Sequence, residues 1–554
     1  MNEISRHEFV KAAVPAPVAV KAYGMTQATP SDRFDIVVAG AGHNSLITTA
    51  YLAKAGYRCL VLEGRPTIGG GVKSVETLLR GFKHDTCSST HLAIQENPLM
   101  RNNELKLGDY GLEYIDPDPI YHFPFLDGSY LTQWRDLDRT CTEFAKFSKK
   151  DAAAYRRMLT EFEAVAPLFN AITFAPVGFV KPLNERLAEH PQGKFWQRRL
   201  AMSAWDIIRE NFEDDHCRAF MMASPWGHMP HQVQMTGRSA YAVFTQQRLG
   251  RPIPKGGSGA LTQALGKLIE AHGGVILTNK PVQRLIVENG RCRGVECVDG
   301  STYRAEKAVL STMHIKQLVN MAPQDLWGEE FIDGVNTWQG ETSECNTNLA
   351  TTEPLKFPVD GGTLAPVHIS ILNKPERMLR FAYDYARAAV NMDEPPMSII
   401  VPSVADPTRA PAGMHTIKIV AYQPYNLKEG PQHWDTIKDQ VADANLKYLR
   451  RFAPNLTDDK ILARTVDSPI DHERMNPNAW HGSCHAGAQS PSQLGPLRPM
   501  PGWAQHRMPI PGLYQTGATT HPGGSVTGAP GRNAAVVMLK DFGTSIEEVL
   551  KKEA

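Results

Sequence analysis

The chain has 554 residues, 42% of them hydrophobic and 8% aromatic, with a formal charge of +1 at pH 7. That composition belongs to a folded globular protein and excludes both a disordered chain and one built to grip polyanionic nucleic acid. The length calls for two domains, and because no low-complexity linker divides the chain, the two are expected to interleave.

Residues 1–32 are expected to form a mobile arm. Ser5-Arg6-His7-Glu8-Phe9-Val10-Lys11 faintly resembles a twin-arginine export signal, but the second arginine is missing, and Pro15, Pro17 and Lys21 interrupt the apolar stretch. The longest apolar runs, Phe34 to Gly42 and Ala534 to Leu539, fall short of the roughly 20 residues that cross a bilayer. Eight cysteines at 59, 87, 141, 217, 292, 297, 345 and 484 show neither a C-x-x-C pair nor zinc spacing, which fits reduced thiols in a cytoplasmic protein.

Phe34 to Ala39 reads as a strand ending in glycines, Leu46 to Ala55 as a helix closed by Gly56, and Arg58 to Glu63 as a second strand. Strand, tight turn, helix and strand make a βαβ unit opening a parallel sheet. In the turn Gly40-Ala41-Gly42-His43-Asn44-Ser45, Gly40 and Gly42 let backbone approach a pyrophosphate, whose charge the helix N-terminus favours. Ser45 stands where a third glycine is usual and is small enough for helix and strand to pack. Glu63 ends the second strand, where a carboxylate accepts hydrogen bonds from an adenosine ribose; an acidic residue there favours FAD or NAD over NADP.

Further on, Ser148 is expected to cap a helix to about Asn170, with Asp151 completing a capping box and Tyr155, Met158, Leu159, Phe162 and Val165 forming its buried stripe. Pro167 to Pro182 is expected to be a buried loop, with an apolar tunnel or a membrane contact as the alternative. From Lys255 to Leu310 the α/β texture resumes, with a helix over Ala260 to Ala271 and turns at Asn289-Gly290 and Asp299-Gly300. Cys292 and Cys297 lie in one strand at an odd separation, which points them to opposite faces and makes them packing residues. Residues 340–490 suggest an antiparallel sheet with helices, including strands at Ser398 to Val401 and Thr416 to Ala421 and a helix from about Trp434 to Phe452. Near the far end, Gly512 to Ala535 reads as strand, glycine-rich turn and helix, a second backbone cradle for a flavin or a phosphate.

The segment Glu63-Gly64-Arg65-Pro66-Thr67-Ile68-Gly69-Gly70 matches the E-x-R-x-x-x-G-G extension of a large flavoprotein group that includes amine oxidases and carotenoid desaturases. With Ala518 to Gly524, Pro254 to Leu261 and Gly273 to Val282, the chain from Phe34 to Asp541 resembles the phytoene desaturase-like FAD oxidoreductases. The resemblance implies a Rossmann-like FAD-binding α/β domain interleaved with an α+β substrate domain. The boundaries it suggests are 34–110, 246–330 and 495–546 for the FAD domain and 111–245 and 331–494 for the substrate domain. It also implies FAD contacts from Gly40, Gly42, Asn44, Ser45, Glu63, Arg65, Gly69, Gly70, Val282, Gly517, Gly524 and Val526, the backbone of Val282 near adenine and Gly517 near the phosphates.

A second nicotinamide-binding unit and a redox cysteine pair, which a disulphide reductase needs, are not found in the sequence. The implied activity is dehydrogenation of a largely apolar substrate by hydride transfer to flavin N5, with oxygen, a quinone or another acceptor taking the electrons. An isomerase or saturase, an amine oxidase, and a prenyl-binding escort protein of the GDP-dissociation-inhibitor type are the alternatives. His521 is the candidate proton-exchanging residue, with a structural role equally open. His481 and His485 are expected to face the substrate cavity; with Cys484 they lack an evident fourth ligand, and no metal site is expected. Asp85 is assigned a packing or turn role.

Overall fold

The structure is a computed structural model that describes residues 33–223, 235–341 and 343–551, so the expected arm over 1–32 lies outside the described residues. Phe34–Ala39 and Cys59–Leu62 are strands of almost unbroken apolar sequence because both of their faces are covered. Between them the helix His43–Lys54 begins directly at Gly42. Strand pairing runs in the order Val282–Glu288, Arg291–Cys297, Thr302–Ser311, Phe34–Ala39, Cys59–Leu62, Val275–Leu277, with Leu513–Gln515 added on Thr302–Ser311. The strands from Leu513–Gln515 across to Val275–Leu277 are parallel, and the first two strands form an antiparallel meander with Thr302–Ser311. Helices Gly259–Ala271 and Ala529–Asp541 pack beside His43–Lys54 on one face, sharing one apolar core with it. Gly531 makes the helix contact close: a Cβ there would lie 2.4 Å from the Asn44 carbonyl oxygen.

A second sheet of seven strands is ordered Ile461–Asp467, Ser343–Thr351, His415–Gln423, Met397–Ile400, His368–Ile371, Tyr121–Pro124, Tyr130–Gln133. Its pairs are antiparallel except His368–Ile371 with Tyr121–Pro124. Helix Trp434–Leu449 covers one side, and the segments 137–223 and 235–249 add a helical layer with an aromatic core around Tyr155, Phe220 and Tyr241.

Three local expectations are corrected. Pro167 does not open a loop: helix Lys149–Thr173 runs through it. Proline removes one internal hydrogen bond, but the stripe of Phe162, Val165, Ala166 and Phe169 stays buried on both sides of it and outweighs that loss. Ser148 Oγ does accept from the Asp151 N–H at 3.1 Å, yet the Asp151 carboxylate turns away from the cap and accepts from the Glu213 and Asp214 N–H groups at 2.9 and 3.0 Å. Cys292 and Cys297 share one apolar core instead of pointing apart. The register slips at this point, with Ile286 opposite Gly294 and Val287 opposite Cys292, so Arg293 bulges out and resets the alternation. Both thiols are free and buried.

Candidate functional site

Three glycine-rich segments converge beside the N-terminus of helix His43–Lys54. Gly69 pairs with Gly42, its N–H donating to the Ala41 carbonyl at 2.8 Å. Thr312, just past Thr302–Ser311, touches two of the segments: a Cβ at Gly40 would sit 2.5 Å from its Cγ2 and one at Gly517 2.7 Å from its Oγ1. Both glycines have positive φ, +98° and +100°, so two independent reasons exclude a side chain there. Ser45 replaces the third glycine without crowding. Its hydroxyl donates within the turn, 2.7 Å from the Gly40 carbonyl and 2.9 Å from that of Gly42, and so braces the loop it begins.

Glu63 is buried under this loop. Its Oε2 accepts from the Ala41 N–H at 3.0 Å and its Oε1 from the Arg65 N–H and Nε at 3.1 and 3.2 Å. A carboxylate has about four acceptor positions, so room for a further donor remains. Helix His43–Lys54 carries no acidic residue in its first turn, which leaves its positive end uncompensated. His43 Nε2 and Asn44 Oδ1 are buried there without a protein partner. Burial pushes His43 down to about 4, with a backbone hydrogen bond at Ser525 opposing, so the ring is neutral at pH 7. A glycine cradle without Cβ atoms, a bare helix N-terminus and unsatisfied polar atoms together fit a bound dinucleotide.

A cavity of about 420 Å³ opens from this cradle toward the second sheet. Gly42, His43, Asn44, Gly70, Thr312, Gly517, Ser525 and Val526 line one side, and Glu344, His472 and Gly482 to Ala486 the other. A smaller chamber of about 160 Å³ adjoins it, with Met378, Met397, Ile400 and Val420 on its wall together with Tyr121, Tyr422, Arg251, Ser370 and Ser398. Cys87, Ser88 and Glu344 border both spaces and form the neck between them.

On the wall of the larger space, His485 forms a buried dyad with Glu341 behind it. The His485 Nδ1 lies 3.1 Å from Glu341 Oε1, which also accepts from the His485 backbone N–H at 3.3 Å and from the Ser483 hydroxyl. Arg498 anchors the loop from below, donating to the carbonyls of His485, Ala488, Gln493 and Ala518 at 2.7–3.0 Å. Burial lowers this guanidinium to about 10, still fully charged at neutral pH. Glu341, Cys484 and His485 offer ligand atoms within 4.8 Å of one another. Their geometry is nevertheless that of hydrogen bonding, since Nδ1 faces the carboxylate while Cys484 Sγ sits at 3.6 and 3.9 Å from Nδ1 and Nε2, beside both ring nitrogens rather than in line with one.

The other expected residues separate into groups. Gly42, Asn44, Arg65, Gly70, Gly517 and Val526 line the cavity; Ser45 and Glu63 stand behind it; Gly524 packs on His485, where a Cβ would be 2.6 Å from the His485 Cα. Val282 opens strand Val282–Glu288 opposite Cys297, away from the lining. His521 also lies outside the lining: its Nε2 is 3.0 and 3.1 Å from the carbonyls of Ile172 and Ala175, and burial lowers its basicity. His485 lines the cavity, while His481 stacks on Tyr425 and Trp480 instead. Asp85 bonds Arg409 at 2.9 Å with both side chains buried, and takes hydrogen bonds from Ser74 and the Ser258 N–H. Burial alone would raise Asp85; Arg409 and these donors outweigh it and hold the carboxyl below its ordinary value. Thr312, Glu341 and Glu344 carry no signal in the sequence because each matters only through contacts with distant segments.

No helix among the described residues is long and apolar enough to cross a membrane. The chain is 27% identical to the mouse protein "Pyridine nucleotide-disulfide oxidoreductase domain-containing protein 2", over 95% of this chain and 97% of that one. A limonene dehydrogenase subunit of Castellaniella defragrans is also 27% identical, covering 92% and 95%. The all-trans-zeta-carotene desaturase of Myxococcus xanthus is 25% identical, covering 88% and 89%. Among solved structures, an oxidoreductase from Methanosarcina mazei superposes with a TM-score of 0.59 at 18% identity, covering 91% and 99%. The family model for flavin containing amine oxidoreductases matches residues 46–539, and the chain therefore belongs to that family of flavin-dependent oxidoreductases.

Proposed function

We propose that this protein is an FAD-dependent dehydrogenase acting on a small, largely apolar organic substrate. The observation that carries the reading is the continuity of the site: a dinucleotide cradle opens through one neck into a chamber that sets Met378, Met397, Ile400 and Val420 beside Arg251, Ser370 and Ser398. Two relatives, a limonene dehydrogenase subunit and a carotene desaturase, supply the substrate class by their names. FAD, when bound, supplies a two-electron acceptor for the hydrogen leaving carbon.

The chain's own groups do the rest. Gly40, Gly42 and the N–H groups opening helix His43–Lys54 hold the pyrophosphate, and Glu63 accepts a ribose hydroxyl. Gly69, Gly70 and Arg65 close over the dinucleotide, Val282 backs the adenine, and Gly517, Gly524 and Val526 border the flavin. The first sheet, from the segments 34–110, 246–330 and 495–546, carries the cofactor, and the second sheet with its helices carries the substrate. His485, oriented by Glu341, takes the substrate proton, because it reaches the cavity and His521 does not. His521 braces the turn between Gly517 and Gly524.

The test is a visible spectrum of the purified protein followed by anaerobic mixing with apolar alcohols, amines and polyenes. A yellow protein that releases equimolar FAD on denaturation and bleaches with a polyene or terpene is expected. A colourless protein that cannot be reconstituted with FAD overturns the reading, and bleaching by amines alone overturns the substrate class.

A further inference from the structure

Arg251 lies on the wall of the smaller chamber, 8% exposed, and does not line the larger space. Three other buried arginines are engaged: Arg409 pairs with Asp85, Arg199 with Glu210, and Arg498 donates to four carbonyls. Arg251 differs from them. Among the described residues its guanidinium has neither an ion pair nor a hydrogen bond, and its Nε is fully enclosed. Its charge rests instead on the Tyr121 ring, the guanidinium carbon lying 4.5 Å from the ring centre. Such a contact engages the flat face of the group and leaves the N–H donors, which radiate in its plane, available. The acidic residue against the preceding glycine, Asp116, which a Cβ on Gly250 would strike at 2.1 Å, is paired with Arg135 at 3.0 Å. The sequence that follows Ala223 of the lining, 224–234, contains neither Asp nor Glu. A buried cation without a counter-charge is costly, and it suits a site that an anion enters.

The surroundings select the kind of anion. Ser370 and Ser398 stand opposite each other on neighbouring strands of the second sheet, and the Ser398 hydroxyl is 3.1 Å from that of Tyr121. The backbone of Arg251 is fixed as well, its carbonyl oxygen 3.0 Å from His368 Nε2. Groups held on strands in this way keep their positions before a ligand arrives. The planar fork of an arginine matches the two oxygens of a carboxylate. One cation balances one negative charge, and Glu344 at the neck disfavours a doubly charged phosphate. We propose that the smaller chamber is a carboxylate subsite, in which Arg251 and the hydroxyls of Tyr121, Ser370 and Ser398 anchor the acid end of an apolar carboxylic acid whose carbon chain runs through the neck toward the cradle. Met378, Met397, Ile400 and Val420 cover the carbons next to the acid group. The anchor then selects the C–H bond that reaches the flavin by its distance from the carboxylate. This role in the substrate rests on reading the cavity as a flavin and substrate site; the binding of a carboxylate by Arg251 does not.

The experiment titrates the full-length protein, as purified, with octanoate, 1-octanol and octyl phosphate in a calorimeter near neutral pH. Octanoate is expected to bind, and the other two to bind more weakly by roughly 10-fold or more, the worth of a charge-assisted hydrogen bond. Arg251→Gln is expected to lose that margin with its affinity for 1-octanol unchanged, Arg251→Lys to keep part of it, and Ser398→Ala to lose a smaller share. Failure of octanoate to bind, or equal binding of octanoate and 1-octanol by the unmodified protein, overturns the subsite without any variant having to fold. Equal octanoate affinity in the unmodified protein and Arg251→Gln overturns the role of Arg251, and tighter binding of octyl phosphate overturns the carboxylate. Once bleaching compounds are in hand, acids are expected to bleach the flavin faster than alcohols of the same skeleton and to lose that lead in Arg251→Gln. Equal bleaching by acid and alcohol overturns the carboxylate as the substrate's anchor. Arg251-dependent octanoate binding in a protein that no compound bleaches overturns the dehydrogenase reading and leaves the subsite standing.

Discussion

At the scale of single residues, two buried histidines stand differently toward the cavity. His485 shares its Nδ1 with Glu341 and faces the cavity, whereas the Nε2 of His521 is occupied by two backbone carbonyls of the helix end near Thr173. His485→Gln is expected to lower kcat by roughly 10² to 10⁴, the usual span for losing a general base, with flavin content unchanged. His521→Gln is expected to cost about 1–3 kcal/mol of stability, the penalty of disturbing a buried hydrogen bond, with kcat per bound flavin unchanged. Stopped-flow bleaching and thermal melts of both variants separate the two roles; equal loss of kcat in both would merge them. What sequence could show here was the contiguous part. Gly40, Gly42, Glu63 and Arg65 announce themselves by spacing along one βαβ unit. The Glu341–His485 contact joins side chains 144 residues apart, and no local pattern encodes it.

At the scale of elements, the cofactor cradle depends on how closely two helices approach. A Cβ on Gly531 would meet the Asn44 carbonyl at 2.4 Å and the Ile47 Cβ at 2.9 Å. Gly531→Val therefore forces helix Ala529–Asp541 away from His43–Lys54. The expected result is a loss of about 1–3 kcal/mol, the common cost of overpacking, together with weaker FAD retention, measured by denaturant melts and by flavin release on gel filtration. Gly362→Val, in the strand Gly362–Leu364 with no positive φ and no atom within 4 Å of the added Cβ, should retain FAD and serves as the control. Strands of plain apolar composition were legible, as Phe34–Ala39 and Cys59–Leu62 show. Ser343–Thr351 was not, although every one of its residues is buried. It reads Ser-Glu-Cys-Asn-Thr-Asn-Leu-Ala-Thr, a polar run that only its two flanking strands and the cavity make sensible: Glu344 lines the neck, and Asn348 donates to Asp467 of the neighbouring strand at 3.1 Å. The Arg293 bulge was illegible for a similar reason, since strand alternation is visible in sequence but its interruption is set by the partner strand.

At the scale of the whole molecule, burial of neutral imidazoles sets the response to acid. Burial takes His43 down to about 4 and His91, His122, His314 and His506 to about 3. Their folded values lie below the unfolded value near 6.5, so below that pH the unfolded chain binds more protons than the folded one. The stability associated with these groups is intact above about pH 6.5 and is lost progressively as pH falls toward 3 to 4. Thermal melts at stepped pH should show the midpoint dropping steeply below pH 6; a flat profile from pH 7 to pH 4 would contradict the burial of these rings. The histidines serve both sheets and the cavity wall, so acid is expected to loosen the molecule as one body. The interleaving itself was legible at low resolution, because the α/β texture returns near Lys255 and again near Gly512. Which strand neighbours which was not, since Leu513–Gln515 finds its place only on Thr302–Ser311.

That same interleaving governs the order in which the protein can be made. The Thr48 hydroxyl of the first helix bonds the Gly531 carbonyl, its partner 483 residues further along the chain. At ~5–20 residues per second of translation, the first helix waits roughly 25–100 s for the helix that covers it. During that interval the apolar residues Ile47 and Tyr51 have no completed core to enter. The nascent chain thus carries the apolar face of its first helix uncovered until its last segment emerges, and the wall of the cradle formed by Gly517 and Val526 is added only then.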